Sequence, residues 1–201
     1  MRLQEWRGLA TLRSLAISSA MPGDGKSTIA LNLATTLAEN GKRSVLLIEG
    51  DLHLPSLAKA LNIPAQPGLA ECLENGVDPI MHIRRLKPLQ FFMLQSGQAH
   101  GNPTELLQSA ALPRLLEGIG PYFDWVLIDT PAIAPLTDAL TISRYCDGTL
   151  LVVRADHTIR EAVDDAVSQL GAERLVGIVF NGAEGLNRYY SKYSKYYGRK
   201  K

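Results

Sequence analysis

Cysteine is scarce in this chain: there are two in 201 residues, Cys72 and Cys146, far apart and in unremarkable surroundings. That argues for reduced thiols and against a disulfide framework. Long apolar runs are missing as well. Nothing reaches the ~18 residues that a membrane-spanning helix needs. The opening MRLQEWRGLATLRSLAISSAMPG is interrupted by Arg7 and Arg13 with no cleavage site after it, so it does not read as a secretory signal. No internal repeat and no domain linker is visible. The last absence is of acid: none follows Glu184. The final NRYYSKYSKYYGRKK holds six basic side chains (Arg188, Lys192, Lys195, Arg199, Lys200, Lys201) and five of the seven tyrosines. The whole chain has a formal net charge of +1, so with six cations in the tail the remainder carries −5. An acidic body thus carries a basic, tyrosine-rich end. Tyrosine normally buries its ring in a core or an interface, and this end has no alternating apolar partners with which to bury five.

What is present is an ordinary soluble composition, 46% hydrophobic and 20% charged, at a length that suits one domain with a substantial core. Short apolar runs alternate with helical patterns. Ser14–Ser18, SVLLI (Ser44–Ile48), LQFFML (Leu89–Leu94), WVLID (Trp125–Asp129), TLLVV (Thr149–Val153) and LVGIVF (Leu175–Phe180) read as buried strands. Helices are expected from about Lys26 to Asn40, with Gly41 as the stop, and near Pro103–Glu117, Asp138–Tyr145 and Thr158–Leu170. The alternation predicts a three-layer α/β/α fold around a mostly parallel sheet. Ligands of such sheets bind beyond the carboxyl ends of the strands. Folded patterning stops at Gly182, which divides the chain into a domain over residues 1–181 and a flexible tail over 182–201.

SSAMPGDGKSTIALNLA follows the first strand and opens the first long helix. From Ala20 through Gly25, Lys26 and Ser27 it has the spacing of a phosphate-binding P-loop, with Ala in place of the usual first Gly. Gly23 and Gly25 let backbone N–H groups, including that of Asp24, curl around phosphates. The helix N-terminus adds a positive dipole end, Lys26 reaches the β- and γ-phosphates, and the Ser27 hydroxyl ligates Mg²⁺ beside Thr28. Two further acidic motifs end strands on the same rim: Glu49 and Asp51 in LLIEGDLHLP, and Asp129 in VLIDTPA. Asp at the end of an apolar strand holds Mg²⁺ in P-loop enzymes. Any one such Asp can instead cap a turn, but three carboxylates beside Lys26 and Ser27 favour the site.

On these motifs, with NPTELLQS (Asn102–Ser109), DWVLIDTPAIAPLTDA, DGTLLVVRADHT, GIVFNGAEG and the tyrosine cluster, the chain resembles the bacterial tyrosine kinases of polysaccharide synthesis and export. That family shares its P-loop fold with the partition and division-site ATPases. Those relatives carry a signature Lys where this chain has Met21, which favours the kinase branch. The resemblance implies ATP and Mg²⁺ as cofactors. It implies catalytic roles for Lys26, Glu49, Asp51 and Asp129, and nucleotide contacts from Gly23 to Thr28 and from Asn181 on the adenine side. It implies metal ligation by Ser27, Asp51 and Asp129, and autophosphorylation, between chains, of Tyr189, Tyr190, Tyr193, Tyr196 and Tyr197. Asp51 or Glu49 is the candidate proton acceptor. The implied setting is the cytoplasmic face of the membrane, reached through a membrane adaptor. The other implied partners are further copies of the chain and an opposing tyrosine phosphatase, with no nucleic acid, in regulating exopolysaccharide or capsule synthesis and export. Asn181 can equally be a strand-end turn residue. Asp138 reads better as a helix N-terminal charge than as a group supporting the site. The tail can also be a basic segment that touches anionic membrane or nucleic acid.

Three positions depart from the family pattern. The acidic motif usually reads Asp-x-Asp-x-Arg, and here it carries Glu49, Asp51 and His53. His53 lacks the permanent charge and fork of Arg. The N-terminus does not match the Glu-x-x-Arg-x-x-Arg spacing that builds a ring, and Ala132 stands where Pro is frequent. Two other functions fit the same fold: an ATPase switch that positions a partner, and a catalytically weakened scaffold.

Overall fold

The computed structural model describes residues 12–87, 89–134 and 137–183. The elements in chain order are β1 (Ser14–Ser19), α1 (Lys26–Leu37), β2 (Val45–Glu49), α2 (Leu57–Ala60), α3 (Leu69–Asn75), β3 (Arg84–Leu86), β4 (Phe91–Leu94), α4 (Pro103–Gln108), α5 (Ala111–Ile119), β5 (Trp125–Asp129), α6 (Asp138–Arg144), β6 (Gly148–Arg154), α7 (Arg160–Leu170) and β7 (Leu175–Asn181). The strands form one sheet in the order β3-β4-β2-β5-β1-β6-β7. Every pairing is parallel except β3 with β4.

The strands read as unbroken apolar runs because both faces of the sheet are covered. Along β2 and β5, Val45, Leu47, Trp125 and Leu127 point into one core with Ala30, Ala34 and Leu37 of α1. The intervening Leu46, Ile48, Val126 and Ile128 point into the other, with Leu73 of α3, Leu107 of α4, Leu112 and Ile119 of α5, and Ile142 of α6. A third cluster joins Leu151 and Val153 of β6 to Ala166 and Leu170 of α7. The exposed charged side chains of Arg84 and Arg85 on the edge strand β3 discourage pairing with another sheet.

Several expected boundaries shift for local reasons. The single helix expected over 103–117 is two, because Ser109 adopts an extended conformation (φ −70°, ψ 158°). The strand expected from Leu89 begins at Phe91, since Gln90 turns the chain with φ 62°. The first helix ends at Leu37, and a short 3₁₀ turn over Glu39–Gly41 carries the stop at Gly41. The short α2, α3 and β3 went unread, being too brief to show a period.

Leu47 lies at the centre of β2, between β4 and β5, and is fully buried. Leu47→Ala is expected to lower stability by about 2–5 kcal/mol, measured as a drop in the urea midpoint at unchanged slope.

Candidate functional site

Parallel pairing brings the carboxyl ends of β1, β2, β5 and β6 to one rim. The register sets Glu49 beside Asp129, and β1 runs next to β5. The loop after β1 therefore lies over the carboxylates that follow its neighbours. Gly23 and Gly25 have φ of 88° and 92°, a region where a side chain would strain the backbone. Gly25 is the N-cap of α1 and no side chain caps the helix, so its first N–H groups remain available to a ligand. A cleft of about 330 Å³ opens here, lined by Gly25, Lys26, Ser27, Asp51, His53 and Pro131 among others.

Lys26 Nζ lies 3.3 Å from Asp51 Oδ2 and 3.4 Å from Ser27 Oγ. The other oxygen of Asp51 accepts from the N–H of Leu54 at 2.9 Å, which pins the loop after β2. The Ser56 hydroxyl reaches Ser27 Oγ at 3.2 Å. Thr28 follows on the exposed side of the first turn.

Glu49 is adjacent but differently engaged. It is fully buried, and its two oxygens accept from Leu57 N at 2.5 Å and Ser96 N at 3.2 Å. It fastens the start of α2 and the end of β4, and does not line the cleft. Of the two carboxylates in that motif, Asp51 alone faces the space a ligand would enter.

Asp129 sits between them, fully buried, with neither carboxylate oxygen hydrogen-bonded among the described residues. Burial pushes its carboxyl up to about 6, opposed by the Lys26 ammonium and the Ser27 hydroxyl. A buried carboxylate without donors is costly. Its two free oxygens, with the Ser27 hydroxyl and the nearby Asp51, fit a hard divalent cation that takes further oxygens from water and phosphate. No cluster of three His, Cys, Asp or Glu side chains occurs among the described residues, so a resident metal cage is not what this site resembles.

Two pairings were not visible in the sequence. His53 Nε2 lies 2.9 Å from Asp138 Oδ2, with Thr104 Oγ1 3.5 Å away. Asp138, read as a helix-end charge, is fully buried at the first position of α6, where Thr137 is the N-cap, and its Oδ1 has no partner among the described residues. It therefore anchors His53 and ties the loop after β2 to α6. Behind the phosphate loop, Asn181 Nδ2 donates to Asp24 O at 2.9 Å, and Thr158 Oγ1 donates to the Asp24 carboxylate at 2.6 Å. Partners 85, 134 and 157 residues apart leave no local signal. The five tail tyrosines, Tyr189 to Tyr197, and the N-terminal spacing lie outside the described residues.

The Asp129 carboxyl gives a pH signature. Its folded value lies above the ordinary 3.8, so between about pH 4 and 6 the folded state holds a proton that the unfolded chain has lost. The stability this contributes is complete below about pH 4 and lost as pH rises through about 6. Asp129→Asn is expected to remove that dependence and to be more stable than the parent at pH 7.5 by about 2–3 kcal/mol in metal chelator. Urea denaturation from pH 5 to pH 8 checks it, and parallel pH profiles for the two proteins would contradict it.

Comparison with known proteins agrees with this geometry. A ParA family model described as NUBPL iron-transfer P-loop NTPase matches residues 11–181. Tyrosine-protein kinase YwqD of Bacillus subtilis is 34% identical over 193 residues, covering 94% of this chain and 79% of that protein. Succinoglycan biosynthesis transport protein ExoP of Rhizobium meliloti is 32% identical across 92% of this chain, which spans 25% of that longer protein. The solved VpsO kinase domain superposes with a TM-score of 0.83 at 29% identity, covering 90% of this chain and 89% of that one. By fold, P-loop and relatives alike, the chain belongs to the ParA-type P-loop NTPases and, within them, to the bacterial tyrosine kinases.

Proposed function

We propose that this chain is an ATP- and Mg²⁺-dependent tyrosine autokinase that phosphorylates the tyrosines of its tail, Tyr189, Tyr190, Tyr193, Tyr196 and Tyr197, between copies. The observation that carries the reading is the contact of Lys26 with Asp51 beside the unpartnered carboxylate of Asp129. Most of the catalysis in phosphoryl transfer is positioning and charge neutralisation, and these three groups are what that requires. Mg²⁺ supplies charge neutralisation at the phosphates, and Asp129 and Ser27 are the residues to hold it. Lys26 exchanges Asp51 for phosphate oxygens. Asp51, relieved of its cation, accepts the proton of a tyrosine hydroxyl, whose pKa of ~10 makes it a poor nucleophile unaided. Glu49 keeps the two loops in place and takes no proton.

The tail supplies the acceptor. Six cations and no acid suit a segment drawn towards a rim of carboxylates. The path from Gly182 to Tyr197 spans at most ~50–55 Å when extended, against a radius of gyration of roughly 16–17 Å for the domain. Reach alone permits either route, but Tyr189 and Tyr190 have little chain with which to fold back, which favours a neighbouring copy. The name of ExoP connects that relative to succinoglycan, a polysaccharide. Control of exopolysaccharide or capsule synthesis and export is the corresponding proposal for this chain. None of the described helices is long and apolar enough to cross a membrane, so placement at its inner face rests on an adaptor. The iron transfer in the matching model's description is not carried over. Both cysteines are buried, with their thiols pushed up to about 11 at Cys72 and about 12 at Cys146, chiefly by burial.

Lys26→Met is expected to reduce tail phosphotyrosine at least a hundredfold, as loss of a principal charge-stabilising group does, with circular dichroism unchanged. Undiminished phosphotyrosine in folded Lys26→Met would remove Lys26 from the reaction. Mixing Lys26→Met with an active chain lacking residues 184–201 is expected to label the inactive chain's tail. An unlabelled tail there, with the intact parent labelled, would restrict transfer to within one chain.

A further inference from the structure

We propose that Asn181 is a positioning residue for the phosphate loop and not a reader of the nucleotide base, and that Asn181, Thr158 and Arg154 hold the loop open for phosphate by engaging it from behind. The inference rests on the nucleotide reading above and concerns how the loop is made ready.

Three consecutive carbonyls of the loop carry a bond on its outer side. Pro22 O lies 3.2 Å from His157 Nε2, Gly23 O accepts from Arg154 Nη1 at 3.2 Å, and Asp24 O accepts from Asn181 Nδ2 at 2.9 Å. All three partners come from the ends of β6 and β7 or the loop after β6. A trans peptide is planar, so its C=O and the next N–H point in opposite directions. Holding the carbonyls of residues 22, 23 and 24 outwards turns the N–H groups of Gly23, Asp24 and Gly25 inwards. Those three N–H groups have no hydrogen-bond partner among the described residues. Successive inward N–H groups form the concavity that takes an anion.

The Asp24 side chain completes the clamp. It is fully buried, and its carboxylate accepts from Met21 N at 3.0 Å and from Thr158 Oγ1 at 2.6 Å. Thr158 Oγ1 in turn accepts from Arg154 N at 2.9 Å. The Asn181 amide lies so close behind the loop that a Cβ on Gly25 would come within 2.3 Å of Nδ2. An amide held there points its donor at the loop's backbone and is occupied by it.

The test compares three ligands by isothermal titration of the full chain: ATP, GTP and inorganic triphosphate, which has no base. Asn181→Leu keeps the approximate shape and removes the donor, and Thr158→Val removes the hydroxyl. Each is expected to weaken all three ligands by a common factor of roughly tenfold, the scale of one buried hydrogen bond left unmade, with the ratio of ATP to GTP affinity unchanged. Thr158→Ser, which retains the hydroxyl, is expected to bind like the parent. Should Asn181→Leu fail to fold, Thr158→Val asks the same question from the other side of the loop. A loss confined to ATP in Asn181→Leu makes Asn181 a base reader and overturns the proposal. Unaltered affinities in both variants overturn it as well. A parent chain that binds none of the three ligands refutes the nucleotide reading itself, a result distinct from either.

Discussion

Burial on both faces of a parallel sheet is the constraint from which the rest follows. Side chains along β1, β2 and β5 have only apolar neighbours above and below, so polar groups of the sheet gather at strand ends, and parallel pairing puts the carboxyl ends together. The rim that results is crowded with acid: Asp24, Glu49, Asp129 and Asp138 are all fully buried. Each buried carboxylate requires donors or a cation. Asp24 and Glu49 have theirs from the loops they fasten, and Asp138 has His53 on one oxygen. Asp129 stands apart in having none, and it is the one set beneath Lys26 and Ser27. A fold that satisfies three of its buried acids and leaves the fourth bare has its binding function written into that difference.

The same arrangement explains how one short motif acquires its geometry from distant parts of the chain. Gly23 and Gly25 permit the turn, but permission is not selection. The inward set of the loop comes from bonds that β6, β7 and the loop after β6 make to its back. Asn181 is two residues from Ala183, where the described chain ends, so the segment leading towards the tail starts against the phosphate loop. His53 and Asp138 do comparable work on the opposite wall, linking the loop after β2 to α6. His53 is a neutral-capable, single-point partner where an Arg would offer a permanent charge and a fork.

The sequence discloses whatever is local. Lys26, Ser27 and the two glycines are contiguous and flanked by a readable strand and helix, so the P-loop is legible. The six buried strands are legible because each concentrates apolar residues in a single run. β3 is three residues long and leaves two arginines exposed, so no apolar pattern marks it. The break at Ser109 depends on one ψ angle. Glu49 looks like Asp51 in sequence, and only the approach of Ser96 and Leu57 separates an anchoring carboxylate from one that faces the cleft. Asn181 was balanced between two roles because its partner, Asp24 O, lies 157 residues away.

The central claim is that the rim delivers phosphate to the chain's own tyrosines. Its most direct measurement is mass spectrometric mapping of phosphate on purified parent protein after incubation with ATP and Mg²⁺. The account requires modification concentrated at Tyr189, Tyr190, Tyr193, Tyr196 and Tyr197, with Tyr122 and Tyr145 of the folded domain unmodified. Steady ATP hydrolysis with no phosphotyrosine at those five positions would contradict it and identify the protein as an ATPase switch on the same fold.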